Sequence, residues 1–449
     1  MKYGLLGYPL GHSLSAEIHR MLFSLAGNPE NQYDLYAKET AEDFSDALSL
    51  DGFNVTIPYK TTIIRHLSQA DEKVALYHAC NTVVRQGRRL YGYNTDVNGF
   101  WETLHFHHQN LKGKKVLVTG FGGVSKMMVT ESILNGAEVS VLLRNPEKTA
   151  NTQKEIREIT GQTIPVLTEP EENYEILLQG TPAGMHPKPI ASPVSLYSLR
   201  NISFAFDTIY NPVSTVLTNA VNFSGGTGVN GLCMLVYQAA CAQKYFYGAA
   251  FSTEQLQLVE RTVKKQLKPF SFPKNIILIG PPGSGKSSLM EGIGTIFQLS
   301  SVDLDAEIER KAGMEIKQIF SAKGEKYFRK LEEETALSLC AETGKVISTG
   351  GGIVETASCM QKIFENPKNL IISLMPSKEI LLSRLSGDTK RPLLAGDTEA
   401  KLTELLQRRM SLYQNYAHIS DEIAEEIPVK NHVLKICDSI LAYEKNKLI

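Results

Sequence analysis

The chain has 449 residues, of which 42% are hydrophobic and 21% charged, and its formal net charge is -1 at pH 7. At roughly 150 residues per domain this length predicts about two to four domains, and the composition is that of an ordinary globular protein. The balanced charge gives no electrostatic case for a surface that binds nucleic acid or membrane, so we expect small-molecule partners.

The six cysteines are scattered without a C-x-x-C pair, which indicates neither a disulfide framework nor a zinc site. The chain opens on the strand-like run M-K-Y-G-L-L-G rather than on a signal peptide. No apolar run approaches the roughly 18 residues that a membrane span needs. We therefore expect a cytoplasmic protein with reduced thiols.

A polar turn, Y-P-L-G-H-S-L-S at residues 8–15, separates a predicted strand at residues 3–7 from a predicted helix at residues 16–25. Ser13 and Ser15 are natural helix caps. Two serines in a turn that also contains glycine and proline are equally suited to binding a small oxyanion. The residues leave both interpretations open.

Residues 53–57 predict a strand with Val55 and Ile57 on one face and Thr56 on the other. Pro58 ends this strand and is followed closely by Lys60. The strand is therefore expected to present a lysine at its end.

Asn81 and Asp96 also fall at predicted strand ends, within C-N-T-V-V and G-Y-N-T-D. A lysine and an aspartate can act together as an acid/base pair, but they also suit an ordinary surface ion pair. The residues alone do not decide between the two.

A predicted strand at residues 116–119 leads into G-F-G-G and then a helix, as a dinucleotide-binding fold requires. The glycines of this turn are Gly120, Gly122 and Gly123. The second strand, at residues 139–143, is followed by Arg144, where an NAD enzyme usually has an acidic residue. Arg144 and Lys148 are therefore candidate partners of a 2′-phosphate.

In order and spacing, G-Y-P-L-G-H-S-L-S, N-V-T-I-P-Y-K, N-T and N-T-D resemble shikimate dehydrogenase over nearly all of residues 1–268. The resemblance implies a substrate-binding α/β domain at residues 1–105, with returning helices at 226–266, and a Rossmann NADP-binding domain at 106–225. It also implies a set of residues around the substrate: Ser13, Ser15, Thr56, Lys60, Asn81, Asp96 and Gln238. Tyr210 and Gly231 would lie in loops beside the nicotinamide, whereas Leu143 and Met127 depart from the family pattern.

The chemistry of such a site is consistent with these residue types. Hydride transfer from NADPH to a ketone places negative charge on the carbonyl oxygen, and a positioned ammonium group can donate a proton there. Lys60 is the expected donor, and Asp96 is expected to orient it. Serine and threonine hydroxyls can hold the substrate carboxylate without adding a competing charge.

Residues 267–274 contain K-P-F-S-F-P-K and predict a short semi-rigid linker. Beyond it, residues 276–279 predict a buried strand, and G-P-P-G-S-G-K-S at residues 280–287 fits the phosphate-loop pattern G-x-x-x-x-G-K-[ST]. Its candidate nucleotide-binding residues are Gly280, Gly283, Ser284, Gly285, Lys286, Ser287 and Ser288. Lys286 can reach the β and γ phosphates and Ser287 can ligate Mg²⁺, although a glycine-rich turn that matches by chance is the alternative.

Further motifs follow the phosphate loop, and their candidate residues are Asp303 and Asp305 (D-x-D), Arg329 (F-R-x-x-E), Gly350, Gly351 and Gly352 (G-G-G), Arg391 (R-P-L-L) and Arg409 (R-x-x-L-Y). Taken singly, the arginines are typical of solvated helix charges. In this order the motifs resemble shikimate kinase over residues 275 to about 440.

That resemblance implies a P-loop NTPase-like α/β kinase domain at residues 275–449. It implies that Asp305 contacts the substrate hydroxyls and that Arg329 and Arg409 clamp the substrate carboxylate, which planar guanidinium groups bind bidentately. The three glycines would offer backbone contacts, Arg391 would close over the phosphates, and Asp303 would help to hold Mg²⁺.

Together the two halves predict a bifunctional enzyme of aromatic amino acid biosynthesis, which reduces 3-dehydroshikimate to shikimate with NADPH and phosphorylates shikimate with ATP. One alternative is a regulatory protein built from the same modules, which binds pathway intermediates without turnover. Another is that the second half is a different small-molecule kinase, such as a gluconate or nucleotide kinase. The sequence does not give the oligomeric state.

Overall fold

The structure is a computed structural model, and it describes residues 1–11, 13–40, 43–171, 173–386 and 398–447. The chain groups into two compact units. Unit 1 comprises Met1–Pro187, Asn201–Val221 and Gly226–Pro269, and unit 2 comprises Lys188–Arg200, Asn222–Gly225 and Phe270–Ile449. Two short segments within the range 106–225 therefore group with the second unit.

The first part of unit 1 is built on a mixed six-stranded sheet in the order β2-β1-β3-β5-β6-β4. Its strands are β1 (Lys2–Gly7), β2 (Gln32–Ala37), β3 (Gly52–Val55), β4 (Gln69–Ala70), β5 (Thr82–Gln86) and β6 (Arg89–Tyr93). The accompanying helices are α1 (Ser15–Leu25), α2 (Ser45–Leu48), α3 (Glu72–Tyr77) and α4 (Asp96–Phe106), with a 3₁₀ turn at Thr62–His66.

The strand predicted over residues 53–57 is shorter than expected, because β3 ends at Val55. Ile57 is 73% exposed whereas Val55 is 1% exposed, so the prediction that they share a face was wrong. All of β3 is buried, since it lies inside the sheet between β1 and β5. An interior strand covered on both sides does not show the alternation that an amphipathic strand would.

The second part of unit 1 is a parallel six-stranded sheet in the order β12-β11-β10-β7-β8-β9. Its strands are β7 (Lys115–Thr119), β8 (Glu138–Leu142), β9 (Val166–Leu167), β10 (Ile176–Gln179), β11 (Phe204–Asp207) and β12 (Thr227–Val229). The helices are α5 (Gly123–Leu134), α6 (Thr149–Thr160), α7 (Val216–Phe223), α8 (Leu232–Tyr247) and α9 (Thr253–Lys264), with 3₁₀ turns at Pro146–Lys148 and Leu196–Asn201. The strand order reverses between β7 and β10, where a doubly wound sheet opens a crevice for ligands.

The helices α8 and α9 return to the first part of unit 1. Helix α8 packs against α1 and α4, and α9 packs against α1 and α8. An apolar cluster that includes Ile18, Leu22, Val236 and Val259 fills the space between them. This packing places α8 beside the helix that begins at Asp96.

Unit 2 contains a parallel five-stranded sheet in the order β14-β15-β13-β16-β17. Its strands are β13 (Asn275–Ile279), β14 (Ser300–Asp303), β15 (Lys345–Ser348), β16 (Asn369–Pro376) and β17 (Ile419–Ile423). The helices are α10 (Lys286–Phe297), α11 (Leu304–Ala312), α12 (Ile316–Cys340), α13 (Ala357–Glu365), α14 (Lys378–Leu385), α15 (Thr398–Asn415) and α16 (Val429–Asn446), with a 3₁₀ turn at Ile353–Glu355. Helix α12 is interrupted at Gly324, whose φ is 79°.

These sheets confirm the predicted α/β fold class. All six cysteines lie in described ranges and none forms a disulfide. Within those ranges, no helix combines the length and apolar character needed to cross a membrane.

Asp207, the last residue of β11, carries a fully buried carboxyl group. It accepts hydrogen bonds from Ile209 N at 3.0 Å and from Thr215 Oγ1 at 2.7 Å. Burial raises the pKa of Asp207 from its ordinary value of 3.8 to about 7, and the two donors oppose this only in part. The folded protein therefore keeps a proton on Asp207 at pH values where the unfolded chain has lost it.

A group whose folded-state pKa is raised stabilises the fold fully below its unfolded pKa, and this stability is lost as pH rises through the folded value. We therefore expect the free energy of unfolding of unit 1 to decrease between about pH 4 and about pH 7, with Asp207 contributing at most about 1.4 kcal/mol per pH unit. The substitution Asp207→Asn should reduce this slope in urea unfolding followed by circular dichroism. Glu158→Gln, at a carboxylate that is 63% exposed, is the control and should keep the wild-type slope. Equal slopes for wild type and Asp207→Asn would contradict this account.

Candidate active sites

Lys60 and Asp96 meet in unit 1, with 2.6 Å between Nζ and Oδ2. Their side chains are 25% and 13% exposed, so the pair is sheltered compared with a solvated surface ion pair. Asp96 is the first residue of α4, where the helix dipole favours a carboxylate. The geometry is that of a proton-carrying ammonium group held by a fixed acceptor.

Asn81 joins this pair to α8. Its Nδ2 donates to Asp96 Oδ1 at 2.9 Å and to Gln238 Oε1 at 3.1 Å. Its Oδ1 accepts from Thr95 N at 2.7 Å, which fixes the orientation of the amide. The structure thus brings Lys60, Asn81, Asp96 and Gln238 into one hydrogen-bonded group.

Ser13 and Thr56 lie in the turns that follow β1 and β3, and Ser15 is the first residue of α1. A Cβ on Gly7 would lie 2.3 Å from Thr56 Cγ2, so these two turns approach each other as closely as they do only because residue 7 is glycine. Ser13 Oγ accepts from Ser15 N at 3.2 Å, but α1 has no side-chain hydrogen bond from its N-cap residue. Helix capping therefore accounts for at most one of the two serines.

The G-x-G-G turn joins β7 to α5. Gly120 has a φ of +79°, and a Cβ there would lie 2.7 Å from Thr181 Cγ2. By contrast, a Cβ built on Gly122 or Gly123 would meet no atom within 4 Å, and Gly122 provides no side-chain cap. This open helix N-terminus, at the strand where the sheet order reverses, fits the pyrophosphate of a dinucleotide.

Arg144 and Lys148 are both exposed in the segment after β8. Leu143 is buried in the apolar core of this part of unit 1, and Met127 lies in the same core. These two departures from the family pattern therefore fill the core and do not occupy the exposed segment.

Two residues expected beside the nicotinamide lie close to the start of α8. Gly231 precedes the helix, and a Cβ there would lie 2.1 Å from the carbonyl oxygen of Thr208, so this approach requires glycine. Tyr210 packs against the apolar cluster of α1, α8 and α9, and burial raises its pKa.

In unit 2, the phosphate loop curls around the ammonium group of Lys286. Lys286 Nζ donates to Gly280 O at 2.9 Å, to Pro281 O at 3.0 Å and to Ser284 Oγ at 3.2 Å. Gly285, with a φ of +94°, precedes α10 and provides no side-chain cap. A loop of this shape at a helix N-terminus fits the phosphates of a nucleotide.

Ser287 and Asp303 lie together at the edge of the sheet. Ser287 Oγ donates to Asp303 Oδ2 at 3.0 Å and lies 3.2 Å from Ser348 Oγ, while Ser288 is exposed on α10. Hydroxyl and carboxylate oxygens suit Mg²⁺, which takes few protein ligands and completes its shell with phosphate and water. The described part of the chain contains no group of three or more His, Cys, Asp or Glu that could hold a metal.

Two of the three glycines after β15 are approached closely by polar side chains. A Cβ on Gly350 would lie 2.9 Å from Asp305 Oδ1, and a Cβ on Gly352 would lie 2.7 Å from both terminal nitrogens of Arg329. Any larger residue would displace these groups. The G-G-G motif therefore makes room for Asp305 and Arg329.

Arg409 reaches the same turn from α15, where its Nη1 donates to Gly351 O at 3.1 Å. Asp305, Arg329 and Arg409, which come from three different helices, thus converge on one glycine turn. The R-P-L-L motif with Arg391 lies outside the described residues.

Two acidic residues that were not among the predicted site residues form ion pairs with these arginines. Glu332 Oε2 is 2.7 Å from Arg329 Nη1, and Glu355 Oε2 is 2.5 Å from Arg409 Nη2. Burial raises the pKa of Glu332 against the opposing effect of Arg329. Burial also favours the neutral form of Glu355, but the guanidinium groups of Arg409 and Arg408 prevail and lower its pKa.

The ion pair of Glu332 could have been predicted from the sequence, whereas that of Glu355 could not. Glu332 is the acidic residue of F-R-x-x-E, three positions after Arg329 on one helix, so helical spacing could have paired them. Glu355 and Arg409 are 54 positions apart, and no local pattern connects them.

The protein-family model described as "Shikimate dehydrogenase substrate binding domain" matches residues 5–83. The family model described as "Shikimate kinase" matches residues 282–441. A "Shikimate dehydrogenase (NADP(+))" of Shouchella clausii is 34% identical over 269 residues, which cover 58% of this chain and 98% of that protein. The chain belongs to the shikimate dehydrogenase family and carries a shikimate kinase domain. Both resemblances predicted from the sequence are confirmed.

Solved structures agree with the dehydrogenase assignment. The chorismate mutase/shikimate 5-dehydrogenase fusion protein from Clostridium acetobutylicum is 29% identical with a TM-score of 0.53, over 59% of this chain and 97% of that one. Shikimate 5-dehydrogenase from Thermus thermophilus, solved with NADP(H) and shikimate, is 27% identical with a TM-score of 0.53, over 58% and 99% of the two chains. The dehydrogenase part of this chain thus spans nearly the full length of these relatives.

Arg144 is expected to favour NADP(H), since its guanidinium gains a bidentate partner only when a 2′-phosphate is present. In the dehydrogenase reaction, Arg144→Ala should raise KM for NADP(H) about tenfold and leave KM for NAD(H) nearly unchanged. Steady-state kinetics with each cofactor measure this, and Arg157→Ala, at an exposed arginine of α6, is the control. Equal changes for the two cofactors would remove the argument for Arg144.

Proposed function

We propose that this chain catalyses two consecutive reactions, the reduction of 3-dehydroshikimate to shikimate with NADPH and the phosphorylation of shikimate at its 3-hydroxyl with ATP. The observation that carries this proposal is that the two parts of one chain match families named for the same metabolite. Each part also assembles a polar site whose residues suit its reaction. The two steps are consecutive because shikimate is the product of one and the substrate of the other.

In the reduction, Lys60 Nζ holds the proton that the carbonyl oxygen of the substrate takes up as negative charge develops on it. Asp96 Oδ2 accepts from this ammonium group, and the bond from Asn81 to Asp96 Oδ1 keeps the carboxylate in place. A bound NADPH supplies the hydride. The hydroxyl groups of Ser13, Ser15 and Thr56 are suited to the substrate carboxylate as neutral donors.

In the phosphorylation, Asp305 orients the reacting hydroxyl of the substrate, and the guanidinium groups of Arg329 and Arg409 hold its carboxylate. Lys286 neutralises charge on the phosphates, a task for which the phosphate loop already fixes its Nζ. Bound ATP with Mg²⁺ supplies the phosphoryl group. The Ser287 hydroxyl and the Asp303 carboxylate would hold the metal, and Arg391 would close over the phosphates.

We further propose the boundaries expected from the sequence, with the substrate-binding domain at residues 1–105 joined by 226–266, the dinucleotide domain at 106–225, a linker at 267–274 and the kinase domain at 275–449. We also propose that the enzyme works in the cytoplasm on small molecules and does not bind nucleic acid or membrane. The balanced net charge of -1 gives no electrostatic case for a surface that binds nucleic acid or membrane.

Lys60→Ala should lower kcat of the dehydrogenase by roughly 10² to 10⁴, the usual effect of losing a general acid, and leave the kinase unchanged. The measurement is oxidation of NADPH with 3-dehydroshikimate. Lys114→Ala removes a lysine of the same unit that pairs with Glu175 and is 46% exposed, so it should retain wild-type turnover. Full dehydrogenase turnover by Lys60→Ala would show that another group donates the proton.

Lys286→Ala should abolish ATP-dependent phosphorylation of shikimate and spare the oxidation of NADPH, because the loss of its ammonium group affects only the phosphate loop of unit 2. Production of ADP in the presence of shikimate is the measurement, and Lys362→Ala, at a lysine that is 61% exposed, is the control. Collapse of both activities with intact circular dichroism would contradict the assignment of separate sites. A wild-type protein that turns over neither substrate would favour the regulatory alternative.

A further inference from the structure

Arg409 is a buried arginine whose guanidinium group is held at both ends. Its side chain is 4% exposed, with Nη1 donating to Gly351 O at 3.1 Å and Nη2 to Glu355 Oε2 at 2.5 Å. Its Nε is buried and has no hydrogen-bond partner among the described residues. A buried N–H without an acceptor is unfavourable, so Nε is a donor that a ligand could satisfy.

Glu355 is well placed to fix this arginine. It ends the short 3₁₀ turn Ile353–Glu355, directly after the glycine turn, and this 3₁₀ turn packs against α15. Its second oxygen, Oε1, lies 2.6 Å from Arg408 Nε. The charge of Arg329 also acts on Glu355 and adds to the effect of the two arginines that it contacts.

The backbone acceptor at the other end of the guanidinium group is fixed as well. Gly351 O accepts from Tyr413 OH at 2.6 Å in addition to Arg409 Nη1, and Tyr413 is fully buried. With Nη1 and Nη2 both held, rotation of the guanidinium plane is blocked. Of the three guanidinium nitrogens, only Nε has no hydrogen-bond partner among the described residues.

We propose that Glu355 is a positioning residue of the kinase site, which holds Arg409 in the orientation that offers its Nε to the carboxylate of the substrate. This inference rests on the proposed function, because it assumes that Arg409 binds shikimate. Glu355 does not itself touch the substrate and acts through Arg409. An arginine held in place loses less side-chain freedom when the substrate binds, and this should appear as tighter binding.

The first test is Glu355→Gln, which keeps the length of the side chain and removes its charge. We expect KM for shikimate in the kinase reaction to rise about tenfold, because a charge-assisted bond to Arg409 becomes a neutral one. We expect kcat and KM for ATP to change by less than about twofold, since the phosphate loop is untouched. An unchanged KM for shikimate would overturn the proposal, and a lower KM would show that Glu355 competes with the substrate.

The matched control is Glu333→Gln, because the Glu333 side chain has the same exposure as that of Glu355, 27%, and also pairs with a cation, Lys362 at 3.7 Å. It should leave KM for shikimate at the wild-type value. Glu355→Asp keeps the charge but withdraws it by one methylene group, and should give an intermediate KM. If Glu355→Gln does not fold, as judged by circular dichroism, Glu355→Asp carries the test, and a wild-type KM for it would overturn the proposal.

A double-mutant cycle separates positioning from a general structural effect. In an Arg409→Gln background, Glu355→Gln should raise KM for shikimate no further, because the residue through which it acts is already missing. An equal further increase would show that Glu355 acts independently of Arg409. If the wild-type protein does not phosphorylate shikimate, the proposed function itself fails, whereas an active wild type with an unaffected Glu355→Gln variant removes this inference alone.

Discussion

Parallel strands place the turns that follow them at one edge of a sheet, and both units of this protein depend on that constraint. In unit 2, β13 ends in the phosphate loop, β14 ends at Asp303 and β15 ends before the three glycines. The register of β14, β15 and β13 therefore brings a phosphate-binding loop, a candidate metal ligand and a candidate acceptor site together. In unit 1, the same geometry sets the G-x-G-G turn at the end of β7 beside the end of β10.

Ion pairs hold the cationic side chains of the candidate sites in place. Lys60 with Asp96, Arg329 with Glu332 and Arg409 with Glu355 are all ion pairs in which at least one side chain is largely buried. Burying a charge is costly unless it is paired and hydrogen-bonded, so each pair keeps a cation of a candidate site stable in a sheltered position. The protein carboxylates also fix the direction in which each cation points, which is the quantity that substrate recognition requires.

Glycine residues allow the chain segments and side chains of these sites to approach one another closely. At Gly7, Gly231, Gly350 and Gly352 a single added carbon would fall within 3 Å of a neighbouring atom. These positions let a turn approach another turn, a carbonyl group, a carboxylate or a guanidinium group. The glycines of these motifs therefore matter for close packing as much as for backbone conformation.

Features that depend only on neighbouring residues could be predicted from the sequence. The phosphate loop, the G-x-G-G turn and the strands that precede them are specified by consecutive residues, because a strand, a turn and a helix start need only neighbouring residue types. The order of the motifs likewise indicated both families, which the comparisons confirm.

Features that depend on residues far apart in the chain could be seen only in the folded protein. The early end of β3 and the exposure of Ile57 are seen only in the folded sheet. The raised pKa of Asp207 follows from burial by other elements, and the grouping of residues 188–200 and 222–225 with unit 2 follows from contacts remote in sequence. The partnership of Glu355 with Arg409 spans 54 positions, so no periodicity of helix or strand could reveal it. Side chains far apart in the chain meet only when the sheets assemble, and for that reason their pairing is absent from any local pattern.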